Sequence, residues 1–102
     1  MANGEKRRRQ RVHVSGSVTI VTASGQQIPG HAIDVSLLGC RISADTLLSL
    51  GAQISTTLRF PSGKTHAVEG TIRFVSAGPP YSYGVAFNPE TVERLIKSSF
   101  KG

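Results

Sequence analysis

Tryptophan is absent from this chain, tyrosine occurs twice, phenylalanine four times and cysteine once. The single thiol, Cys40, cannot close an internal disulfide, and no Cys-x-x-Cys pair exists to hold zinc or to cycle redox, so a reducing, cytoplasmic setting is expected. Six aromatics in 102 residues leave little for a base-stacking platform of the kind that single-strand nucleic-acid binders use. No apolar run approaches the ~18 to 20 residues of a membrane span, and the basic N-terminus lacks the apolar segment of a signal peptide. His13, His31 and His66 show no ligand spacing with Asp or Glu, so no metal site is expected.

Acidic residues are scarce as well, six against twelve Lys and Arg, and the imbalance is concentrated. Lys6, Arg7, Arg8, Arg9 and Arg11 face Glu5 alone among the first eleven residues, which leaves the rest of the chain nearly neutral. Arginine's flat, permanently charged fork grips phosphate bidentately and stacks on aromatic planes, so an anionic partner follows. Residues 1–10 carry no apolar periodicity and read as a flexible basic arm. Residues 11–102 are long enough for one core and no second domain.

That core reads as β structure, in keeping with eleven glycines and five prolines. Val12, Val14, Val18 and Ile20 alternate with polar residues in a half-buried strand pattern, with Gly16 marking a bulge or bend. A second strand covers Ile28 to Val35, and Asp34 to Gly39 turns into Cys40-Arg41-Ile42, where Cys40 and Ile42 share a side. Ala44 to Gly51 reads as a helical turn or loop plugging one end of a barrel. Three more alternating runs follow: Ile54 to Phe60; His66, Val68, Ile72 and Phe74; and Tyr81, Tyr83, Val85 and Phe87. Pro61-Ser62-Gly63-Lys64 and Ala77-Gly78-Pro79-Pro80 join them. Five to six short antiparallel strands imply a small closed barrel, which removes exposed sheet edges. Asn88-Pro89-Glu90 then starts a helix, with Val92, Leu95, Ile96 and Phe100 as its inward stripe.

Two short patterns carry the chemistry. Arg7 to Arg11 is R-x-x-x-R, and Asp34-Val35-Ser36-Leu37-Leu38-Gly39 is D-x-S-x-x-G. Each is weak alone; their order, their gap and their places beside predicted strands are much more specific. With these motifs, and with Gly84-Val85-Ala86-Phe87 as a late Gly-Val-x-Phe strand before a closing helix, the chain resembles the PilZ domain family of bacterial cyclic di-GMP receptors. The resemblance covers about residues 5 to 100. It implies an all-β, six-stranded antiparallel barrel with a C-terminal helix, binding the dinucleotide across its outer surface.

Cyclic di-GMP presents two phosphodiester charges and two guanines, so its receptor needs cations, donors for guanine O6 and N7, and an acceptor for the base N–H groups. Arg7 and Arg11 supply the first two, with Arg8 an additional phosphate contact and Arg9 a weaker one. Asp34 suits guanine N1–H and N2–H, and the Ser36 hydroxyl can bridge base and phosphate. Gly39 is expected to turn the backbone through positive φ and let it approach the ligand. Arg73 stands mid-strand on a side that the sequence leaves open, and a tyrosine could touch a base.

The expected protein is a cytoplasmic receptor or adaptor, not an enzyme, that needs no cofactor and signals through an unidentified effector protein. Motility, exopolysaccharide or virulence outputs are what the resemblance implies. Two alternatives stay open: a nucleic-acid-binding barrel whose arm tracks phosphates, disfavoured by the neutral barrel, and a PilZ-like adaptor that binds no nucleotide. Cys40 with a histidine could be imagined as nucleophile and base, but its parity with Ile42 makes it a core thiol.

Overall fold

A computed structural model describes residues 12–60 and 62–98; the proposed arm lies outside them. Six strands form a closed antiparallel barrel in the order β1-β2-β3-β6-β5-β4. They are β1 (Val12–Thr22), β2 (Gln27–Val35), β3 (Gly39–Ala44), β4 (Gln53–Arg59), β5 (Thr65–Val75) and β6 (Tyr81–Phe87), followed by helix α1 (Pro89–Lys97). The ring closes where Val21 and Thr22 of β1 pair with Ser55 and Ile54 of β4.

Period-two alternation builds the interior. Ile20, Ile28, Ile42, Ile54, Leu58, Val68, Ile72, Tyr83 and Val85 are buried in one cluster, and each comes from a strand whose alternate residues face outward. Pro29 sits inside β2, opposite Thr19, without breaking the pairing. The loop between β3 and β4 forms no helix. It seals one barrel end with Leu48, while Leu47 and Leu50 stay exposed. The buried Tyr83 hydroxyl ties the loop down by accepting from the Leu48 N–H and donating to the Thr46 carbonyl, each at 2.8 Å.

Three register shifts interrupt the alternation, and the one between β1 and β2, from His13 to Gly16, falls where Gly16 was expected to mark a bulge or bend. Between β2 and β3, Ala32 pairs with Ile42 but Asp34 pairs with Arg41, so Ile33 is an extra residue on the β2 side. Between β5 and β6, Ile72 pairs with Val85 but Phe74 pairs with Gly84, so Arg73 is extra on the β5 side. A one-residue bulge reverses the facing of everything beyond it. Phe74, expected among the inward residues of its run, is therefore 59% exposed.

Helix α1 begins as expected, with Asn88 at the N-cap and Pro89 in the first turn, although the Asn88 side chain makes no capping bond. Its inward stripe differs from expectation. Thr91 and Leu95 are buried, whereas Ile96 is 57% exposed; it lies about 100° around the helix from Leu95, too far to reach the barrel. Phe100 lies outside the described residues. The helix is fastened to β5 by the Glu69 N–H donating to the Thr91 hydroxyl at 3.1 Å and by Arg94 Nη2 donating to the Ala67 carbonyl at 2.7 Å.

Candidate functional site

The bulge at Ile33 decides what D-x-S-x-x-G can do. Unbroken alternation from Ile28 would send Asp34 into the barrel. The shift instead sets Val35 inward, opposite Val12 and Cys40, and sets Asp34 opposite His13 and Arg41, both exposed. Asp34 thus belongs to the outer face, yet is itself only 3% exposed.

Arg41 covers it. Its Nε donates to Asp34 Oδ2 at 3.0 Å and its Nη2 to the same oxygen at 2.6 Å, while its own side chain remains 54% exposed. These hydrogen bonds first, and the carboxylate's charge second, hold the guanidinium protonated still more firmly than usual. Arg41 belongs to no recognised motif and was missed in the sequence. The signal available was its place two residues after Gly39, on the outward parity between Cys40 and Ile42.

Ser36 is buried and closes the turn. Its N–H donates to the Gly39 carbonyl at 2.7 Å and its hydroxyl to the same oxygen at 3.3 Å. Gly39 departs from the expected role: its φ is not positive, unlike Gly16, Gly25, Gly51 and Gly63. It is buried in β3, opposite Ala86, where a Cβ would overlap the Val85 carbonyl oxygen. Glycine is required there for close strand contact rather than for a positive φ.

Following the register outward gives a continuous row, His13, Asp34, Arg41, Gly84 and Phe74, on β1, β2, β3, β6 and β5. Neighbours in such a row are about 4.8 Å apart. Gly84 carries no side chain, and a Cβ there would stand 3.2 Å from that of Phe74, so the row dips between a cation and an exposed ring. Arg73 is also exposed. Tyr83 is buried and Tyr81 half-buried.

Arg7, Arg8 and Arg11 lie outside the described residues. The strand register nevertheless bears on them: Val12 pairs with Val35 and His13 with Asp34, so the chain enters the barrel next to D-x-S-x-x-G, and Arg11 is one peptide bond from that point. A separate groove of about 590 Å³, lined by Ser17, Thr19, His31, Ser43 and Asp45 among others, lies over the middle of β1 and β2 and the end of β3 and holds no motif residue.

Cys40 is buried and is paired with Val35, whereas the exposed His31 is paired with Ser43, so the two occupy different rungs and the thiol belongs to the core. Among the described residues no group of three His, Cys, Asp or Glu side chains gathers to hold a metal ion, and no helix is long and apolar enough to cross a membrane.

The PilZ domain family profile matches residues 5–101. No curated protein matches the chain. Among solved structures, the Bacillus subtilis inhibitor of motility (MotI/DgrA) is similar, with a TM-score of 0.63 and 14% identity over 86% of this chain and 46% of that one. Escherichia coli YcgR in complex with c-di-GMP has a TM-score of 0.62 and 13% identity over 89% of this chain and 43% of its own. The isolated PilZ domain of YcgR with c-di-GMP has a TM-score of 0.61 and 14% identity over 89% and 88%. The chain spans less than half the length of the first two proteins. At these identities the likeness is one of fold. With the family profile matched from residue 5 to residue 101, the chain belongs to the PilZ domain family.

Proposed function

We propose that this protein is a cyclic di-GMP receptor without enzymatic activity, and that Arg7, Arg8, Arg11, Asp34, Ser36 and Gly39 form the core of its site. The observation that supports the reading is the β1–β2 register, which sets Val12 and His13, the residues that follow the arginine run in sequence, opposite Val35 and Asp34. Family membership supports it. The arm provides cations for the two phosphates, and Asp34 provides the acceptor for guanine N–H groups. Ser36 and Gly39 contribute by holding the turn between β2 and β3. Phe74, across the dip at Gly84, offers a ring on which a base can stack.

Ligand binding draws the arm onto the barrel, and the arm with its ligand presents a new surface to an effector protein. Titration calorimetry tests the reading. The folded protein is expected to bind cyclic di-GMP at micromolar concentration or tighter. Arg11→Ala is expected to lose roughly 2 to 3 kcal/mol of binding for its charge-assisted contact. Absence of binding by the folded wild type refutes the proposal.

A further inference from the structure

Asp34 and Arg41 stand side by side on the outer face, an acceptor and a donor joined through Oδ2. Guanine offers the complement of that pair. Its N1–H and N2–H donate, and its O6 and N7 accept. A carboxylate next to a guanidinium can therefore take both sets from one base.

Exchange on binding also leaves no charge stranded. As long as Arg41 is paired with it, the carboxylate is nearly sealed, at 4% side-chain exposure. A ligand that engages Asp34 must displace the N–H groups now on Oδ2. Moving a fork away from a buried carboxylate is costly unless both partners are satisfied again. Guanine does this, since its N–H groups replace those of Arg41 while O6 and N7 receive the freed guanidinium. Adenine does not, because its N1 is an acceptor and would face Asp34 with no hydrogen between them.

Resting on the receptor reading above, we infer that Arg41 is a guanine-specifying residue of the site, which exchanges Asp34 for O6 and N7 of the base that Asp34 binds. The cation comes from the barrel itself and is additional to the arm.

The test pairs a side-chain change with a single-atom ligand change. Calorimetry compares cyclic di-GMP with its 7-deazaguanine analogue, in which N7 becomes a CH, on wild type and Arg41→Gln, with thermal melting to check the fold. The wild type is expected to bind the analogue about tenfold more weakly, within the range of a bidentate base contact. Arg41→Gln is expected to bind cyclic di-GMP at least tenfold more weakly and to show a smaller analogue penalty than the wild type. An unchanged analogue penalty in Arg41→Gln, or wild-type affinity for cyclic di-GMP, overturns the assignment while leaving the receptor reading intact. No binding by wild type overturns both. If Arg41→Gln fails to fold, Arg41→Lys keeps a charge over Asp34 but lacks the fork. It is expected to retain part of the affinity with a reduced penalty, and a full penalty there counts against the assignment.

Discussion

Gly39 shows how a motif glycine can be kept for the fold. A substituent at this position meets backbone, the Val85 carbonyl of the neighbouring strand, and backbone cannot step aside as a flexible side chain can. Gly39→Ala is expected to cost about 2 to 3 kcal/mol through overpacking, a fall of roughly 10 to 20 °C in melting temperature for a domain this size. A variant that melts with the wild type and has lost only ligand binding contradicts this assignment. The sequence announced that a glycine was needed, but it could not say why. D-x-S-x-x-G looks the same whether its glycine bends the chain, admits a ligand or admits another strand. Arg41 was hidden for a related reason: its importance comes from the residue across the ladder, Asp34, and cross-strand partners are separated in sequence by whatever the turn requires.

At the scale of strands and loops, most of the barrel was legible because alternation has a period of two and turn residues punctuate it. What escaped was the pair of bulges at Ile33 and Arg73. Neither residue is a glycine or otherwise marked, and a bulge is a property of two strands in register. Those two irregularities place Asp34 and Phe74 on the outer row, so the illegible part of the fold is the part on which the proposed site rests. The plug between β3 and β4 was legible as a loop with leucines, while its anchor was not. Tyr83 lies on β6 and reaches both the Leu48 N–H and the Thr46 carbonyl. Tyr83→Phe leaves a buried donor without its acceptor and is expected to cost about 1 to 3 kcal/mol, measured by chemical denaturation. Hydrogen exchange at the Leu48 amide should quicken more than at Ile42, which lies in the barrel wall. Equal acceleration at both sites means that Tyr83 supports the whole barrel rather than the loop.

For the whole molecule, charge and fold are supplied by different parts of the chain. The six described strands and the described helix fall between Val12 and Lys97, and the described ring closes on itself through β1 and β4 without any earlier residue. The excess of positive charge lies before Val12. Removing residues 1–11 therefore takes away none of the described strands and none of the described core residues, and the truncated protein is expected to melt within a few degrees of the full chain. Its affinity for cyclic di-GMP should fall sharply, because the remaining exposed cation at the row's centre, Arg41, already shares its charge with Asp34. The two proteins should also differ in their response to salt. At 0.15 M the screening length is about 8 Å, so a site that depends on several arginines gripping phosphates weakens steadily as salt is added. A site left with one paired guanidinium and a guanine-reading carboxylate weakens little. Calorimetry of both proteins across a salt series checks this, with a steep loss for the full chain and a shallow one for the truncated barrel. Parallel slopes for two folded proteins locate the phosphate contacts on the barrel and remove the arm from the site.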